Sequence, residues 1–374
     1  MKVSVLQEKL AHGLNVVSRA VSSRSTLPVL GNVLVATDEG RLRLSATDLE
    51  LSITCWIGSK IAEEGSTTVP SRIFSDFVST LSKDHIELDL EERTQTLNLR
   101  SGTSNTDIKC VDAQEFPPME TPDLADGIQL QVGDLKEMIA QVVFAASTDE
   151  ARPVLTGVLV TIEGPKITMA TADGFRLSVR DAELAANTAN AKAVIPARAL
   201  KELSRVATNN DDLITMVLLP NRGQVVFRLK DVELSSRLIN DEFPDYRQVI
   251  PQKFKTRTIV STANLLKAVR QAEIFARDGS NIARLNIVPG EGNDSGMIEM
   301  SAQSEEAGRN ETVVDANVEG PGILIAFNVR YLRDVLEVVK TPNVALETSV
   351  SASPGLFRPL GDQTFLHVIM PMHI

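Results

Sequence analysis

The sequence predicts an α+β chain made of three tandem copies of one unit, each with two helices packed on antiparallel sheet. The prediction rests on phrases that recur at a nearly constant spacing, helical apolar periodicity early in each copy, and alternating apolar residues between the helices. A chain of 374 residues, 43% hydrophobic and 23% charged, is long enough for two or three domains with their own cores.

Pairs of similar phrases lie 125 to 127 residues apart and occur in the same order. They are "PVLGNVLV" at Pro28 and "PVLTGVLV" at Pro153, "VPSRIFSDF" at Val69 and "IPARALKEL" at Ile195, and "EFPP" at Glu115 and "EFPD" at Glu242. A fainter third copy contains "STANLLKAVRQAEIF" from Ser261 and "FNVRYLRDVLEVV" from Phe327. We therefore expect domains at residues 1–125, 126–252 and 253–374.

Each copy is expected to begin with a helix. In the first copy, apolar residues three and four positions apart lay one stripe along it: Leu6, Leu10, Leu14, Val17 and Val21. In the third copy, Ser261 and Thr262 supply the capping chemistry.

Alternating segments follow each first helix. "RLRLSATDLELSI" is expected to place Leu42 and Leu44, then Leu49, Leu51 and Ile53, on one sheet face, with Asp48 in a turn between two strands. A second helix and hairpins such as "MVLLPNRGQVVFRL" complete the unit.

No catalytic or cofactor-binding motif stands out. The four histidines form no HExxH pattern, and "GEGNDSG" lacks the Lys-Ser/Thr pair and the following helix of a phosphate-binding loop. We therefore expect no metal, no cofactor and no enzymatic activity. A signal peptide is not expected, because Glu8 and Lys9 interrupt the apolar N-terminus, and no run approaches the length of a spanning helix. These features predict a cytoplasmic protein without a membrane partner.

Charge is distributed unevenly. The chain carries a net charge of −11, but the six predicted helical segments contain 13 basic and 8 acidic residues, which leaves −16 for the rest. The segments are 6–21, 71–83, 132–146, 196–206, 261–275 and 328–340. Repeated basic helices on one shared surface would contact a polyanion through its phosphates, without sequence preference.

Three sheet-rich units in a row leave an unpaired strand edge at each end of the chain. Proteins cover or pair such edges. A head-to-tail contact between two chains would pair both edges in a closed ring, whereas a rotation that does not close would give a filament.

Five phrases together resemble the bacterial sliding clamp family, the beta subunits of DNA polymerase III, over essentially the whole chain. They are "TLPVLGNVLV", "ATDLELSI", "TADGFRLSV", "FPDYRQVIP" and "VIMPMHI". The resemblance implies three clamp domains per chain and a head-to-tail homodimer that closes into a six-domain ring around duplex DNA. Such a ring gives the polymerase processivity and needs a separate ATP-driven loader to be loaded onto DNA.

The resemblance also implies a pocket between the second and third domains that accepts peptides from the polymerase III alpha subunit, the clamp loader and other partners. A few buried anchors carry most of the binding energy of such peptides. The implied pocket residues are Leu155, Gly174, Phe175, Arg176, Leu177, Pro244, Val249, Ser353, Val368, Met370, Pro371 and Met372. Phe175 stands where the family often has His, and the chain ends with His373 and Ile374 where Arg-Leu is common.

For DNA, the resemblance implies contacts from Arg24, Arg152 and Arg198. The aromatic pair that the family places after Arg152 is replaced here by Pro153 and Val154. For the subunit interface it implies Ile108 in the first domain and Ile274 with Phe275 in the third.

Two other hypotheses remain open from the residues alone. A monomeric peptide-binding adaptor would use the pocket without a ring or DNA. A triplicated-domain enzyme would assemble its site from loops, and a steady activity that survives purification would favour it.

Overall fold

The fold was analysed in a computed structural model that describes residues 1–22, 27–119, 123–124, 127–277, 280–291 and 295–373. These residues form two compact units. Unit 1 comprises Met1–Asp134 with Arg198–Leu238, and unit 2 comprises Leu135–Ala197 with Ile239–Ile374. The central repeat therefore contributes strands to both units.

The N-terminal repeat has two helices among nine strands in its described part. Its elements are β1 (Lys2–Leu6), α1 (Gln7–Val17), β2 (Asn32–Asp38), β3 (Arg41–Thr47), β4 (Leu51–Gly58), β5 (Lys60–Glu63), β6 (Ser66–Pro70), α2 (Ser71–Thr80), β7 (His85–Glu91), β8 (Thr96–Ser101) and β9 (Ser104–Lys109). Short 3₁₀ turns cover Ser18–Ala20 and Pro28–Gly31.

The central repeat follows the same order with two longer strands. Its elements are β10 (Ile128–Gln131), α3 (Val132–Val142), β11 (Gly157–Ala172), β12 (Arg176–Pro196), α4 (Ala197–Val206), β13 (Leu213–Leu219), β14 (Gln224–Arg228) and β15 (Val232–Arg237). Further 3₁₀ turns cover Pro153–Thr156 and Tyr246–Val249.

The C-terminal repeat again begins with a strand and a helix. Its elements are β16 (Thr256–Ser261), α5 (Thr262–Ala276), β17 (Ile282–Val288), β18 (Gly296–Ser304), β19 (Gly308–Glu319), β20 (Ile323–Asn328), α6 (Val329–Val338), β21 (Asn343–Thr348), β22 (Gly355–Pro359) and β23 (Phe365–Ile369). The predicted cap is present, because Ser261 Oγ accepts a hydrogen bond from Asn264 N at 3.4 Å.

The described strands form three antiparallel sheets. Unit 1 holds a five-stranded sheet, β5-β1-β7-β8-β9, and an eight-stranded sheet, β10-β13-β14-β15-β4-β3-β2-β6. Unit 2 holds a ten-stranded sheet, β11-β12-β23-β22-β21-β16-β19-β18-β17-β20. The predicted α+β architecture of three repeated domains is confirmed.

Two sheets continue from one repeat into the next. In unit 1, the last strand of the central repeat, β15, pairs with β4 of the N-terminal repeat from Val232↔Cys55 to Ser236↔Leu51. In unit 2, the last strand of the C-terminal repeat, β23, pairs with β12 of the central repeat from Arg176↔Ile369 to Arg180↔Phe365. Each junction thus joins the last strand of one repeat to a strand that follows the "TD" or "AD" turn of the repeat before it.

The helices bury most of the apolar stripe that the sequence predicts, but Leu6 ends strand β1 instead of beginning the helix and is 40% exposed. In α1, Leu10, Leu14 and Val17 are at most 1% exposed. In unit 2, Leu265 and Val269 of α5 join a core with Phe327 and Phe357. Burial of this apolar surface is the main favourable contribution to folding.

The predicted turn at Asp48 is present, but the alternating pattern gave the wrong face for the residue that follows it. Asp48 Oδ1 accepts hydrogen bonds from Glu50 N at 3.0 Å and Leu51 N at 2.8 Å. Leu49, predicted to share the buried face with Leu51 and Ile53, instead lies in the turn with φ of 77° and is 44% exposed. A four-residue turn reverses the chain there, so the alternation starts afresh at Leu51.

Within the described residues, none of the helices has both the length and the apolar composition needed to cross a bilayer.

Candidate peptide-binding site

An apolar cavity of about 170 Å³ opens on the surface of unit 2. Its walls come from the turn before β11, the β11–β12 turn, the segment 243–249 and the end of β23 with Met370 directly after it. The lining residues are Leu155, Ala172, Gly174, Phe175, Arg176, Leu177, Phe243, Pro244, Asp245, Tyr246, Val249, Val368 and Met370.

The cavity has a buried floor and an exposed apolar rim. Leu177 and Val368 in the floor are 2% and 1% exposed, and they lie opposite each other in the β12–β23 ladder. Phe175, Val249 and Met370 at the rim are 61%, 44% and 36% exposed. Apolar side chains held at the surface around a concave floor mark a site for a partner's apolar side chains.

A tight turn shapes one wall. Asp173 Oδ1 accepts hydrogen bonds from Phe175 N at 2.9 Å and Arg176 N at 3.0 Å, as Asp48 does in the first repeat. Gly174 adopts φ of 96°, at the position where the first repeat has Leu49. Glycine removes the steric cost of this left-handed conformation. Met370 N then donates to Phe175 O at 2.8 Å, which ties the last wall of the cavity to the turn.

Arg176 holds the turn against α6. Its Nε donates to Asp173 Oδ2 at 3.0 Å, its Nη1 to Asp334 Oδ2 at 2.7 Å and its Nη2 to the Phe144 carbonyl at 2.8 Å. The guanidinium also stacks on Tyr331, 4.2 Å from the ring centre, and the side chain is only 9% exposed. Charge-assisted bonds of this kind fix position as well as add energy. Arg176 is therefore a positioning residue of the pocket.

His367 lies next to Val368 in β23, on the opposite side of the strand. It is fully buried, 5.3 Å from the Phe144 ring centre, and its Nδ1 lies 2.5 Å from Ser178 Oγ. Burial, with a smaller effect from the charge of Arg176, holds the pKa of His367 well below its usual value. The residue behind the pocket is therefore a neutral imidazole at pH 7.

Nine of the twelve residues named from the sequence line this cavity, and three do not. Ser353 lies in a turn, where its N–H donates to the Val350 carbonyl. Pro371 and Met372 continue past the cavity, and Met372 N donates to the Ala326 carbonyl at 2.8 Å. Four lining residues were missed: Ala172, Phe243, Asp245 and Tyr246. The repeated "EFP" phrase contains Phe243 and could have identified it.

Two of the three arginines named as DNA contacts lie in the described part of the chain. Arg24 lies outside the described residues. Arg152 pairs with Asp149 at 3.4 Å and stands beside the pocket, where its Nη1 would lie 3.2 Å from a Cβ on Gly174. Arg198 in α4 pairs with Asp48 at 2.6 Å and is about half exposed.

The three interface residues also differ in exposure. Ile274 on α5 is 55% exposed, whereas Phe275 packs partly against the core of unit 2. Ile108 is 4% exposed, opposite Leu97 in the β8–β9 ladder. The Ile108 side chain thus belongs to the core of its own sheet, so only the backbone of β9 offers an open edge.

The fold and the site define a triplicated α+β repeat protein with an apolar pocket suited to peptide side chains. Profiles of the DNA polymerase III beta subunit match the chain in three consecutive parts: the N-terminal domain at residues 1–120, the central domain at 129–245 and the C-terminal domain at 247–373.

Known relatives match over their full length. The beta sliding clamp of Synechococcus elongatus is 32% identical over 100% of both chains, and that of Bacillus subtilis is 33% identical over 100% of this chain and 99% of its own. The crystal structure of the Bacillus subtilis DNA polymerase sliding clamp superposes with a TM-score of 0.94 at 30% identity, covering 100% of this chain and 99% of that one. A Pseudomonas aeruginosa sliding clamp bound to griselimycin gives 0.91 at 27% identity, with both chains covered in full. The chain belongs to the beta sliding clamp family of DNA polymerase III.

Proposed function

We propose that two copies of this chain join head to tail into a ring that encircles duplex DNA, and that the apolar pocket of unit 2 tethers replication proteins to it. The partners are the polymerase III alpha subunit, the clamp loader and other proteins with short apolar peptides. The ring itself is non-catalytic, needs no cofactor and acts in the cytoplasm. Relatives named as sliding clamps over the full length support this function over that of a monomeric adaptor.

The proposed ring rests on one observation. Two junctions between the sheets of neighbouring repeats form within the chain, and the described strands that would form a third junction are each left with an open edge. The last strand of the N-terminal repeat, β9, is an edge strand that pairs only with β8 among the described strands. The matching strand after the turn in the C-terminal repeat is the first part of β19. It pairs with β18 on one side, and with β16 on the other side only from Ala316 onward. A second copy would pair β9 with β19 twice and close a ring.

The helices show the same open position. The third residue of the second helix is covered in two of the three repeats. In α4 it is Ala199, which is 2% exposed, and in α6 it is Tyr331, which stacks against Arg176. In α2 it is Ile73, which is 59% exposed. On the other side, Ile274 is the thirteenth residue counted from the start of its helix. The residues at that position in the other two repeats lie close to the second helix of the next repeat, or to the arginine that binds that helix.

Those equivalent residues are Arg19 and Phe144. Arg19 Nη1 lies 3.3 Å from Glu202 of α4, and Phe144 lies 5.4 Å from the Arg176 guanidinium that binds Asp334 of α6. By the same arrangement, Ile73 of one copy would meet Ile274 of the other. Burial of two exposed isoleucines would favour the dimer.

Weak phosphate contacts suit a ring that must slide. At least eight of the thirteen basic residues on the helical segments make ion pairs with acidic groups of the same chain, including Arg198 with Asp48 and Lys340 with Glu137. Partly neutralised cations attract phosphate with little strength per contact. We include Arg24, Arg152 and Arg198 among the contacts.

The test is retention on plasmid DNA after loading with a matched clamp loader and ATP. We expect the protein to stay on circular plasmid at high salt and to leave after one cut linearises the circle, because encirclement and not affinity holds it. Equal loss from circles and linear DNA as salt rises would mean that electrostatics alone held the protein, and the ring would be rejected.

A further inference from the structure

The arginine that positions the pocket turn is itself part of a longer series of ion pairs in unit 2. Arg176 Nη1 donates to Asp334 Oδ2 at 2.7 Å, and Asp334 Oδ1 accepts from Arg333 Nη2 at 2.8 Å. Arg333 Nη1 in turn donates to Glu273 Oε1 at 2.5 Å. With Asp173, which accepts from Arg176 Nε, five side chains of alternating charge form a relay from the last turn of α5 to the turn at the pocket.

The relay is better shielded from water than a second ion pair between the same two helices. The relay side chains on α5 and α6 are Glu273, Arg333 and Asp334, which are 17%, 32% and 20% exposed. Arg270 and Glu337, which also join α5 to α6, are 59% and 42% exposed. Ion pairs with less exposure lose less of their attraction to water and salt. The relay is therefore the stronger link, and the exposed pair offers a matched comparison.

Arg333 fixes the carboxylate of Asp334. One oxygen of that carboxylate binds Arg333 and the other binds Arg176, so the group cannot rotate while both donors are present. Arg333 is fixed in the same way, because Glu273 holds its other terminal nitrogen. A planar guanidinium that binds two carboxylates sets their separation and orientation. Arg333 therefore determines where Arg176 finds its partner on α6, although Arg333 does not line the pocket.

The pocket turn has to be held because its exposed residue is apolar. Phe175 is 61% exposed beside an apolar floor, and an unrestrained phenyl ring would bury itself on that floor and close the pocket. The first repeat has Glu50 at this position, and a charged side chain stays in water without help. The turn of that repeat is tied to α4 by one pair, Arg198 with Asp48, in which the Arg198 side chain is 56% exposed. The shielded relay thus accompanies the turn that has the apolar rim.

We propose that Arg333 is a positioning residue of the peptide pocket, which acts through Asp334 and Arg176 to keep Phe175 in place for a partner peptide. The inference rests on the proposed peptide-binding function of unit 2. A pocket whose rim already has its bound position binds more tightly, because less ordering is needed on association. Removal of the Arg333 guanidinium should therefore weaken peptide binding, although no group that lines the pocket is lost.

Hydrogen–deuterium exchange of the unliganded protein tests the positioning. The backbone N–H groups of Phe175, Arg176 and Met370 donate the hydrogen bonds that shape the turn and tie the last wall to it. In Arg333→Met we expect these amides to exchange roughly fivefold faster or more, because the turn opens more often. Arg270→Met is the matched control and should leave their exchange unchanged, since its pair joins α5 to α6 but not to the turn. Equal rates at these amides in the two variants would overturn the proposal.

Peptide binding shows whether Arg333 acts through Arg176. The probe is fluorescein-Gly-Ser-Leu-Ala-Phe-Ser-amide, and its anisotropy reports binding. Arg333→Met should weaken binding roughly threefold or more, and Arg270→Met should leave it unchanged. In an Arg176→Met background, Arg333→Met should have no further effect, because the residue through which it acts is gone. An additive loss in the double variant would contradict this route.

Thermal unfolding shows whether each variant is folded at the assay temperature, and Asp334→Asn takes the place of Arg176→Met if that variant is unfolded. Failure of the unchanged protein to bind the probe would count against the proposed function. The exchange measurement needs no peptide, so it judges the role of Arg333 by itself. Ring closure, tested separately on plasmid circles, affects neither result.

Discussion

At the scale of single residues, Arg176 shows that a pocket residue can act through its neighbours. Its Nε, Nη1 and Nη2 each donate a hydrogen bond within the chain, to Asp173, Asp334 and the Phe144 carbonyl. The resemblance identified the position, but the sequence could not show this role, because Asp334 lies 158 residues away. Long-range partners of a charged side chain are set by the fold, not by local spacing.

We expect Arg176→Ala to lower the free energy of unfolding by about 3 kcal/mol, because it leaves the partly buried Asp173 without its countercharge and leaves Asp334 with Arg333 alone. Urea unfolding measures this change. Arg247→Ala is the matched control. Its pair with Glu163, at 3.9 Å and well exposed, should contribute less than about 1 kcal/mol. Equal small effects of both variants would show that Arg176 does not hold the turn.

His367 predicts a pH dependence of stability. Its pKa is lowered in the folded chain, so below the unfolded value of about 6.5 the unfolded chain binds the proton that the folded chain does not. Stability should therefore fall as the pH drops from 7 to 5, by up to about 1.4 kcal/mol per pH unit from this group. His367→Gln should remove this part of the slope, and His85→Gln, at an exposed histidine, should retain it. Equal slopes in the two variants would refute the assignment to His367.

At the scale of elements, the sequence predicted most of what local periodicity encodes. The first helices, the Asp48 turn and the hairpins were found because apolar spacing and turn residues carry them. The prediction that Leu49 lies on the buried face was wrong, because a reversal of the chain interrupts the alternation. The junction pairs β4–β15 and β12–β23 were not predicted, because strand pairing between repeats depends on tertiary packing.

The two junctions predict the register of the third. The facing pairs at the two junctions are Ser235–Ser52 and Val368–Leu177. We located the equivalent positions at the third junction by following the strand ladders of each repeat. They are Asp107 in β9 and Arg309 in β19. Opposite charges therefore face each other across the proposed subunit contact. Charges of opposite sign directly across a ladder favour the pairing.

Charge reversal tests this register. Asp107→Arg and Arg309→Asp should each weaken self-association roughly tenfold or more, since like charges then face each other at both contacts. A mixture of the two single variants should form a heterodimer of normal affinity, because each contact regains one acid and one base. Asp241→Arg, at an exposed acid elsewhere, is the control. Analytical ultracentrifugation measures all four samples. A mixture that stays monomeric would contradict the register without contradicting the dimer.

At the scale of the whole molecule, the uneven distribution of charge explains why DNA was predicted as the partner of an acidic chain. Net charge alone suggests avoidance of a polyanion, and only the separation of helices from the rest, +5 against −16, indicates otherwise. The sequence thus predicted the class of partner. It could not show how many of those cations already have acidic neighbours, because most of these pairs join different elements.

We expect Ile274→Arg to convert the dimer to a monomer, because a charge would then be buried in an apolar contact. Light scattering gives the mass, and retention on circular plasmid should be lost together with the dimer. Binding of an apolar partner peptide to unit 2 should be unchanged. Val350→Arg is the control, because Val350 is 46% exposed in the segment between β21 and β22. A dimeric Ile274→Arg variant would rule out this residue as an interface contact.

The position of each strand within its sheet also determines where the chain fluctuates. The junction strands β4, β12, β15 and β23 lie inside their sheets, so opening any of them breaks ladders on both sides. β9 is held along one side only, and so is the first part of β19. Local opening is easiest where the fewest backbone hydrogen bonds must break. Amide exchange in the isolated chain should thus be faster along β9 and the first part of β19 than along the junction strands, and pairing with a second copy should slow it there.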